Sequence, residues 1–347
     1  MGCQTLRITL SLLTVVCLIG SQADAQRLVP GTGTKIDYVG DDFENPEWKF
    51  VHRLPKSSRE NDGRARGPLG SSVNRRWAEG PERGHPDHMK VIPTPEGGVV
   101  GSEYALLLMS QKTGIPGQSS YDVQQDDLIA NISSRLGTSI RVSELPSCVV
   151  RLYLPSPDQW ENRSGPHFGF RTGVSSAPTQ RFNTGFFRGG PTSEPYWPGI
   201  WIHFRSETNP RYENDSAFIK VRGNKSGRDF KVAEITQFGW WTLGMGYTGD
   251  GMVHYYASPG VDDLTPADHL TSQYPYSLEA RSFRSFFFNV VNHNDGRTWS
   301  TPFVIDDAEF FVGHPERVQS IAQRKQKNDD QRARTASKNN NPETKKR

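Results

Sequence analysis

Alternating apolar and polar side chains restrict this chain to a fold made of two-sided strands. The segment Gly199–Arg205 reads GIWIHFR, and its apolar and polar side chains alternate after the first residue. Successive side chains of a strand project to opposite faces of a sheet. One face of this segment therefore enters a core, and the other presents Trp201, His203 and Arg205. An aromatic and basic face of this kind indicates recognition or catalysis on a sheet surface.

Strand signals of this type recur from Asp41 to Gly313, without an amphipathic helical stretch longer than a few turns. We predict strands at residues 104–110, 148–154, 167–172, 199–205, 217–222, 240–247, 252–256, 285–292 and 303–311. The turn Gly249-Asp250-Gly251 separates two of these strands and predicts a hairpin. The body of the chain is therefore expected to be all-β.

Several predicted strands share the basic or aromatic face of the first segment. If these faces belong to one sheet, aromatic rings could stack on sugars and guanidinium groups could bind carboxylates or sulfates with two parallel hydrogen bonds. The predicted ligand-binding residues are Trp201, His203, Arg205, Arg151, Tyr153, His167, Arg171, Lys220, Arg222, His254 and Tyr256. The alternative is an ordinary solvated sheet face. Trp197, Trp240 and Trp241 are either core fillers or part of this surface.

The first 25 residues predict an exported protein. Arg7 precedes an apolar run from Ile8 to Gly20, and Ala23-Asp24-Ala25 resembles a small-residue cleavage site. The run is too short to span a bilayer, and no later segment resembles a transmembrane helix. We expect residues 1–25 to be a signal peptide and the mature protein to be secreted, periplasmic or at the cell surface. Cys148, the only cysteine after this segment, is interpreted as a buried, unreactive thiol.

The remaining chain divides into a domain at residues 26–313 and a basic tail at residues 314–347. Within the domain, residues 56–98 are rich in Arg, Gly and Pro and form a long excursion that could fold over one mouth of the sheet. The tail has ten Lys or Arg against four Asp or Glu, and few large apolar residues. It is expected to be largely disordered after a short helical segment near residues 315–324. An anionic envelope polymer is its candidate partner.

Four sequence segments resemble the concanavalin A-like lectin/glucanase jelly-roll superfamily, and also sandwich-type carbohydrate-binding modules. They are the opening DDFE at 41–44, GGVVGSEYALLLM at 97–109, the Trp-initiated hairpin at 241–256 and the closing FVIDD at 303–307. The resemblance covers about residues 37–313. It implies a two-sheet antiparallel β-sandwich of the jelly-roll type, a fold that hosts lectins, hydrolases, lyases and structural modules. The paired carboxylates that glycosidases of this fold carry on one strand are missing.

Carbohydrate binding, plausibly to an acidic oligo- or polysaccharide, is the leading functional hypothesis. A polysaccharide lyase or glycoside hydrolase acting on the same face is the alternative, with His203, Tyr256, Arg171 and Arg205 as candidate catalytic residues. A non-catalytic structural or adhesive envelope protein is the third hypothesis. No Gly-rich phosphate loop stands between a strand and a helix, so neither a nucleotide nor a nucleic acid is an expected partner.

An acidic cluster, made of Asp42, Glu44, Asp306 and Asp307, is the candidate metal site. These carboxylates come from the two ends of the domain, where first and last strands commonly pair. Hard oxygen ligands of this kind could hold a structural Ca²⁺. The alternative is that Asp307 caps a turn and the other three carboxylates are solvated. No other cofactor is expected.

Overall fold

The computed structural model describes residues 28–113, 124–178 and 194–339; the predicted signal peptide lies outside these ranges. The helices are α1 (Arg59–Asp62), α2 (Ile132–Leu136) and α3 (Glu316–Asn339). The strands are β1 (Thr34–Lys35), β2 (Phe50–Val51), β3 (Ser71–Ser72), β4 (His88–Pro93), β5 (Tyr104–Met109), β6 (Gln124–Ala130), β7 (Ile140–Arg141), β8 (Pro146–Leu154), β9 (Gly165–Pro178), β10 (Glu194–Tyr196), β11 (Gly199–Arg205), β12 (Ser216–Arg222), β13 (Asp229–Ile235), β14 (Gly239–Tyr247), β15 (Val253–Pro259), β16 (His269–Gln273), β17 (Leu278–Asn292) and β18 (Phe303–Val312).

Two large antiparallel sheets contain most of these strands. Sheet 1 has the order β16-β15-β14-β8-β18-β5-β4, with β1 paired to β18. Sheet 2 has the order β13-β12-β11-β9-β17-β6, with β10 paired to β9 and β7 paired to β17. The structure confirms the two-sheet antiparallel β-sandwich that the sequence and its resemblance predict.

The core lies between the two sheets and is rich in aromatic rings. Phe168 of sheet 2 meets Phe303 of sheet 1 with ring centroids 5.0 Å apart, and Phe283 meets Phe310 at 5.1 Å. Cys148 is fully buried in this core, where burial raises the pKa of its thiol well above the usual value. A thiol in its neutral form is a poor nucleophile. The interpretation of Cys148 as a buried, unreactive thiol is therefore confirmed.

The strands with clear alternation lie where the sequence predicts them. β11 has the predicted bounds, and the predicted hairpin is formed by β14 and β15, with Tyr247 opposite Val253. β13 and β16 were not predicted from the sequence. Both are edge strands whose side chains are mostly half-buried, so neither shows a clean apolar face.

The first part of the predicted excursion at residues 56–98 covers the outer edge of sheet 2, whereas its residues 88–93 form β4 at the edge of sheet 1. Ala78 and Ile129 of β6 exchange two backbone hydrogen bonds of 2.9 Å, and the N–H of Asp127 donates to Gly84 O at 2.8 Å. Trp77 is buried in the core, where its ring packs on Phe288. The excursion therefore protects an edge that would otherwise expose unpaired backbone groups.

Lys56 fastens the start of this excursion to the body of the protein. Its side chain is fully buried, and Nζ lies 2.7 Å from Asp126 Oδ2 and 2.8 Å from Asp87 Oδ1. Nζ also donates to Lys112 O at 2.9 Å. The two carboxylates raise the pKa of Lys56 against the opposing effect of burial, so the ammonium group stays charged.

The basic tail begins with a helix that is longer than the sequence predicts. α3 continues to Asn339, far beyond the short helical segment expected near residues 315–324; residues 340–347 lie outside the described ranges. Val318 and Ala322 are buried against the body. The guanidinium group of Arg317 donates to both carboxylate oxygens of Glu144 at 2.6 and 2.7 Å. Val318 and Ala322 lie within the helical segment expected from the sequence, and they form the short apolar stripe that docks it. Among the described residues, none of the helices is long and apolar enough to cross a membrane.

Candidate functional site

The outer face of sheet 2, which points away from sheet 1, carries the aromatic and basic side chains of β11. In β11, Ile200, Ile202 and Phe204 belong to the core. Trp201 and His203 therefore lie on the outer face, as strand geometry requires. In β12, Lys220 lies directly opposite Trp201. Arg205, Arg222 and Arg171 share this outer face.

A groove of about 350 Å³ runs over this face and brings three of the predicted residues together. Trp201, His203 and Arg222 line it from the sheet. The excursion supplies a wall that includes Glu60 and Arg83. The remaining lining residues are Asn61, Gln124, Gln125, Pro166, Asp229 and Val291. The volume is at the small end of the range for ligand pockets, which suits a short segment of an extended ligand.

Trp201 lies against the sheet, with only 6% of its surface exposed. Its ring occupies space above Gly169, where a Cβ atom would stand 2.9 Å from Cζ3. Its buried Nε1 has no hydrogen-bond partner in the described structure. The ring therefore offers the groove an edge rather than a full face, and the stacking platform predicted at this position is not present.

Arg171 lies beneath the groove and is fully buried. Its guanidinium carbon is 5.3 Å from the ring centroids of both Trp201 and Phe287, and Nη2 donates to Trp197 O at 3.1 Å. The absence of a side chain at Gly199 leaves room for it. Burial, followed by the charges of nearby arginines, lowers the pKa of Arg171 to about 9, so it remains largely charged near neutral pH. Its Nε has no partner among the described residues.

A buried polar pair lies beside Arg171 on the same face. The side-chain amide of Asn289 in β17 donates to the carboxylate of Asp127 in β6, and both side chains are buried. Burial raises the pKa of Asp127 to about 6, although Arg83 and Arg171 act in the opposite direction. Asn289 Oδ1 has no partner in the described structure. Charged, donor and acceptor groups that are incompletely paired therefore lie buried beneath the residues that line the groove.

His203 is neutral near physiological pH. Burial, followed by the charges of Lys220 and Arg163, lowers the pKa of its imidazole to about 3. Its ring packs on Phe218, with centroids 5.2 Å apart. A neutral imidazole can donate one hydrogen bond and accept another, but with so low a pKa it is a weak general base.

Ion pairs balance the charges around the groove. Arg222 Nε donates to Asp229 Oδ1 at 3.1 Å, and Arg83 Nη2 donates to Glu60 Oε1 at 2.7 Å. In the part of the chain that the structure describes, Asp229 is the only hydrogen-bond acceptor recorded for the Arg222 guanidinium group. Its two Nη groups are therefore the best placed to meet a carboxylate or sulfate.

Three other predicted residues lie on sheet 2 without lining the groove. Arg205 pairs with Glu234 through two hydrogen bonds of 3.1 Å. Lys220 lies beside the groove and contributes charge to it. His167 was predicted on the outer face, but a bulge between β9 and β11 turns it toward the interior, where Nδ1 is 2.8 Å from Thr301 Oγ1. The outer-face prediction for His167 is therefore wrong.

The prediction of one shared surface is wrong for the remaining four residues. Arg151, Tyr153, His254 and Tyr256 belong to β8 and β15 of sheet 1, on the face that points away from sheet 2. Arg151 Nη1 donates to Glu309 at 2.9 Å. His254 and Tyr256 are buried, and Tyr256 packs with Leu264 under a loop. None of the four can reach the groove, because the core of the sandwich separates them from it.

The carboxylates of the acidic cluster differ in burial: Asp306 is buried, whereas Asp42 is exposed. Burial, with a further contribution from Asp307 and Glu44, raises the pKa of Asp306 to about 7. Asp306 Oδ2 accepts a hydrogen bond from Ser102 Oγ at 2.8 Å. Within the described ranges, no group of three or more His, Cys, Asp or Glu side chains has the geometry to hold a metal ion. The calcium site stays a prediction.

Sequence reasoning missed the contributions of the excursion and of β6. Arg83 gave no strand signal, and the run QQDDLIA at 124–130 lacks clean alternation because Asp126 turns inward to meet Lys56. Asn289 is the polar residue that interrupts the apolar run Phe286–Val291 in β17. That interruption was the available signal in the sequence.

The fold and groove together define an all-β sandwich protein with a candidate ligand site on one sheet face. The chain matches no protein-family model and no curated protein. Among solved structures, it is similar to a carbohydrate esterase from the Shiga toxin-encoding bacteriophage phi24B, with 12% identity, a TM-score of 0.38, and coverage of 69% of this chain and 89% of that one.

Two polysaccharide lyases show a comparable likeness. The endo-β-1,4-glucuronan lyase from the fungus Trichoderma reesei has 13% identity and a TM-score of 0.33, covering 68% of this chain and 94% of that one. An alginate lyase from Pseudomonas aeruginosa has 13% identity and a TM-score of 0.32, with 66% and 86% covered. At these identities and TM-scores, the likeness is evidence for neither an activity nor a ligand.

Proposed function

We propose that this protein binds carbohydrate in the groove on the outer face of sheet 2. The observation that carries the proposal is the convergence of Trp201, His203 and Arg222 in one groove. A sugar presents hydroxyl groups that both donate and accept hydrogen bonds. The groove offers imidazole, amide, guanidinium and carboxylate groups beside an indole edge, which matches that mixed demand.

Unpaired buried atoms at and beneath the groove lining support the same proposal. Trp201 Nε1, Asn289 Oδ1 and Arg171 Nε are buried, and none has a partner in the described structure. A buried polar group left unpaired costs about 1–3 kcal/mol. After a small side-chain movement, ligand hydroxyls would form hydrogen bonds with these atoms. Removal of the cost of the unpaired groups would then make binding more favourable.

An acidic glycan is the favoured ligand within this class. Arg222 has two Nη groups with which to bind a carboxylate or sulfate in a bidentate manner. Arg171 adds a buried positive charge below the groove, and the ammonium group of Lys220 adds a positive charge beside it. Glu60 and Asp229 offset part of this charge, so we expect moderate rather than absolute preference for acidic over neutral glycans.

Binding is favoured over cleavage because the candidate catalytic residues do not meet. His203 lines the groove, but Tyr256 lies on sheet 1, Arg171 is buried beneath the floor and Arg205 is paired with Glu234. A lyase needs a base and an acid at the same sugar. The low pKa of His203 also makes it a weak base. We infer a binding protein, which the predicted signal peptide would export.

A glycan panel with two arginine variants tests the proposed function. Neutral, uronic and sulfated oligosaccharides would be titrated calorimetrically, and each mixture would be assayed for unsaturated or new reducing ends. We expect binding without products. Arg222→Gln should weaken binding of an acidic glycan by about tenfold or more, because hydrogen bonds to charged groups contribute about 1.5–3 kcal/mol.

Arg205→Gln is the matched control, since this arginine lies on the neighbouring strand of the same face but outside the groove. It should bind as the wild type does. Equal loss in both variants would contradict a groove centred on Arg222. Failure to bind any glycan would overturn the proposed function, and the appearance of cleavage products would replace binding with the lyase or hydrolase alternative.

A further inference from the structure

A second tryptophan, Trp197, lies on the outer face of sheet 2 beyond the residues that line the groove. It directly precedes Pro198 and β11, and 44% of its surface is exposed, compared with 6% for Trp201. Its Cδ1 atom would be 3.8 Å from a Cβ atom at Gly173. An exposed indole beside a candidate ligand groove offers a flat apolar face on which a ligand could stack.

The outer face of β9 connects the two tryptophans. Gly169, Arg171 and Gly173 follow one another on this face, because alternate residues of a strand project to the same side. Trp201 lies over Gly169 and Trp197 lies beside Gly173. Gly173 is four steps along the strand from Gly169, a span of about 13 Å.

The position of Trp201 requires a glycine at 169, because a Cβ atom there would stand 2.9 Å from its ring. At Gly173 the close contact of a Cβ atom, 2.5 Å, would be with Ser285 Oγ and not with Trp197. Between them, Arg171 Nη2 donates to Trp197 O at 3.1 Å, which fixes the backbone that carries the exposed ring. The two rings and the guanidinium group between them therefore form one row along the sheet.

We propose that Trp197 is a second subsite, which stacks on a sugar ring of the same glycan that occupies the groove. The proposal rests on the proposed function and extends it to a chain length: the ligand must be an oligosaccharide long enough to reach from Trp201 to Trp197. The exposed indole of Trp197 provides the flat apolar face that Trp201 lacks. A glycan too short to span the row gains nothing from Trp197.

A chain-length series with two tryptophan variants tests this subsite. The glycan that binds best in the panel would be titrated as a disaccharide and as a hexasaccharide into wild type, Trp197→Ala and Trp299→Ala. Trp299 is the matched control, because 41% of its surface is exposed and its ring is near His88, away from the groove. Melting temperatures would be recorded for all three proteins.

We expect wild type to bind the hexasaccharide about tenfold more tightly than the disaccharide. Trp197→Ala should lose this gain, bind the disaccharide as wild type does, and melt at the wild-type temperature. Trp299→Ala should retain the gain. Equal hexasaccharide affinity in Trp197→Ala and wild type, or an equal loss for both lengths, would overturn the subsite while groove binding of the disaccharide stands. If wild type binds neither length of any glycan, the proposed function and the subsite both fail.

Discussion

Replacing Lys56 with methionine should destabilise the protein and open one wall of the groove. The substitution keeps most of the side-chain volume but removes the ammonium group that contacts Asp126 and Asp87. Asp126 would then be a fully buried carboxylate without its cation. Breaking a buried ion pair by removing one partner costs about 3–5 kcal/mol. That is a large part of the total stability of about 5–15 kcal/mol that is typical of folded proteins.

Urea denaturation followed by tryptophan fluorescence would measure this loss. Lys56→Met with Asp126→Asn should recover part of it, because the uncompensated charge is gone. Arg205→Gln, which breaks the exposed pair with Glu234, should cost less than about 1 kcal/mol. A loss for Lys56→Met as small as that of Arg205→Gln would refute the role of Lys56 as the anchor of the excursion. Glycan affinity of the folded variant should also fall, since the excursion carries Arg83 to the groove.

Three further predictions concern the groove and the acidic cluster. Gly169→Ala should weaken glycan binding, because the new methyl group displaces Trp201. Overpacking of this kind should also lower the stability by about 1–3 kcal/mol. Gly67→Ala is the control, since no atom lies within 4 Å of the new Cβ. The lowered pKa of His203 gives stability that is complete above about pH 6.5 and is lost as the pH falls toward about 3, so His203→Asn should flatten this part of the stability–pH curve. If the acidic cluster holds Ca²⁺, chelation should lower the melting temperature of wild type but not of Asp306→Asn; equal shifts would contradict that site.

The strands could be predicted from sequence because their signal is local. β11 and the hairpin of β14 and β15 follow directly from alternation and from a Gly-Asp-Gly turn. The sequence also predicted correctly that the side chains of Trp201 and Tyr256 project from the face of their strands opposite the core. What alternation cannot give is the sheet to which a strand belongs. β11 and β15 have similar patterns, yet the core separates them, because strand pairing depends on long-range contacts.

The site was incomplete for two other physical reasons. A bulge beside β9 breaks the period of two, so His167 turns inward against expectation. The groove wall comes from an excursion that is held in part by a buried lysine, and a lysine in an Arg- and Gly-rich segment gives no local sign of burial. The same limitation applies to α3, whose docking through Val318 and Ala322 is a tertiary effect that composition does not show.

The indole N–H resonance of Trp201 offers the most direct test of carbohydrate binding in the groove. The signal can be assigned in a ¹H–¹⁵N spectrum by its loss in Trp201→Phe, and followed while the best-binding oligosaccharide is added. Trp241 is the internal reference, since its Nε1 donates to Gln237 O at 3.0 Å within the sandwich. We predict that the Trp201 resonance shifts with saturation at the calorimetric affinity while that of Trp241 stays in place. A glycan that binds without shifting the Trp201 resonance would contradict the assignment of this groove as the binding site.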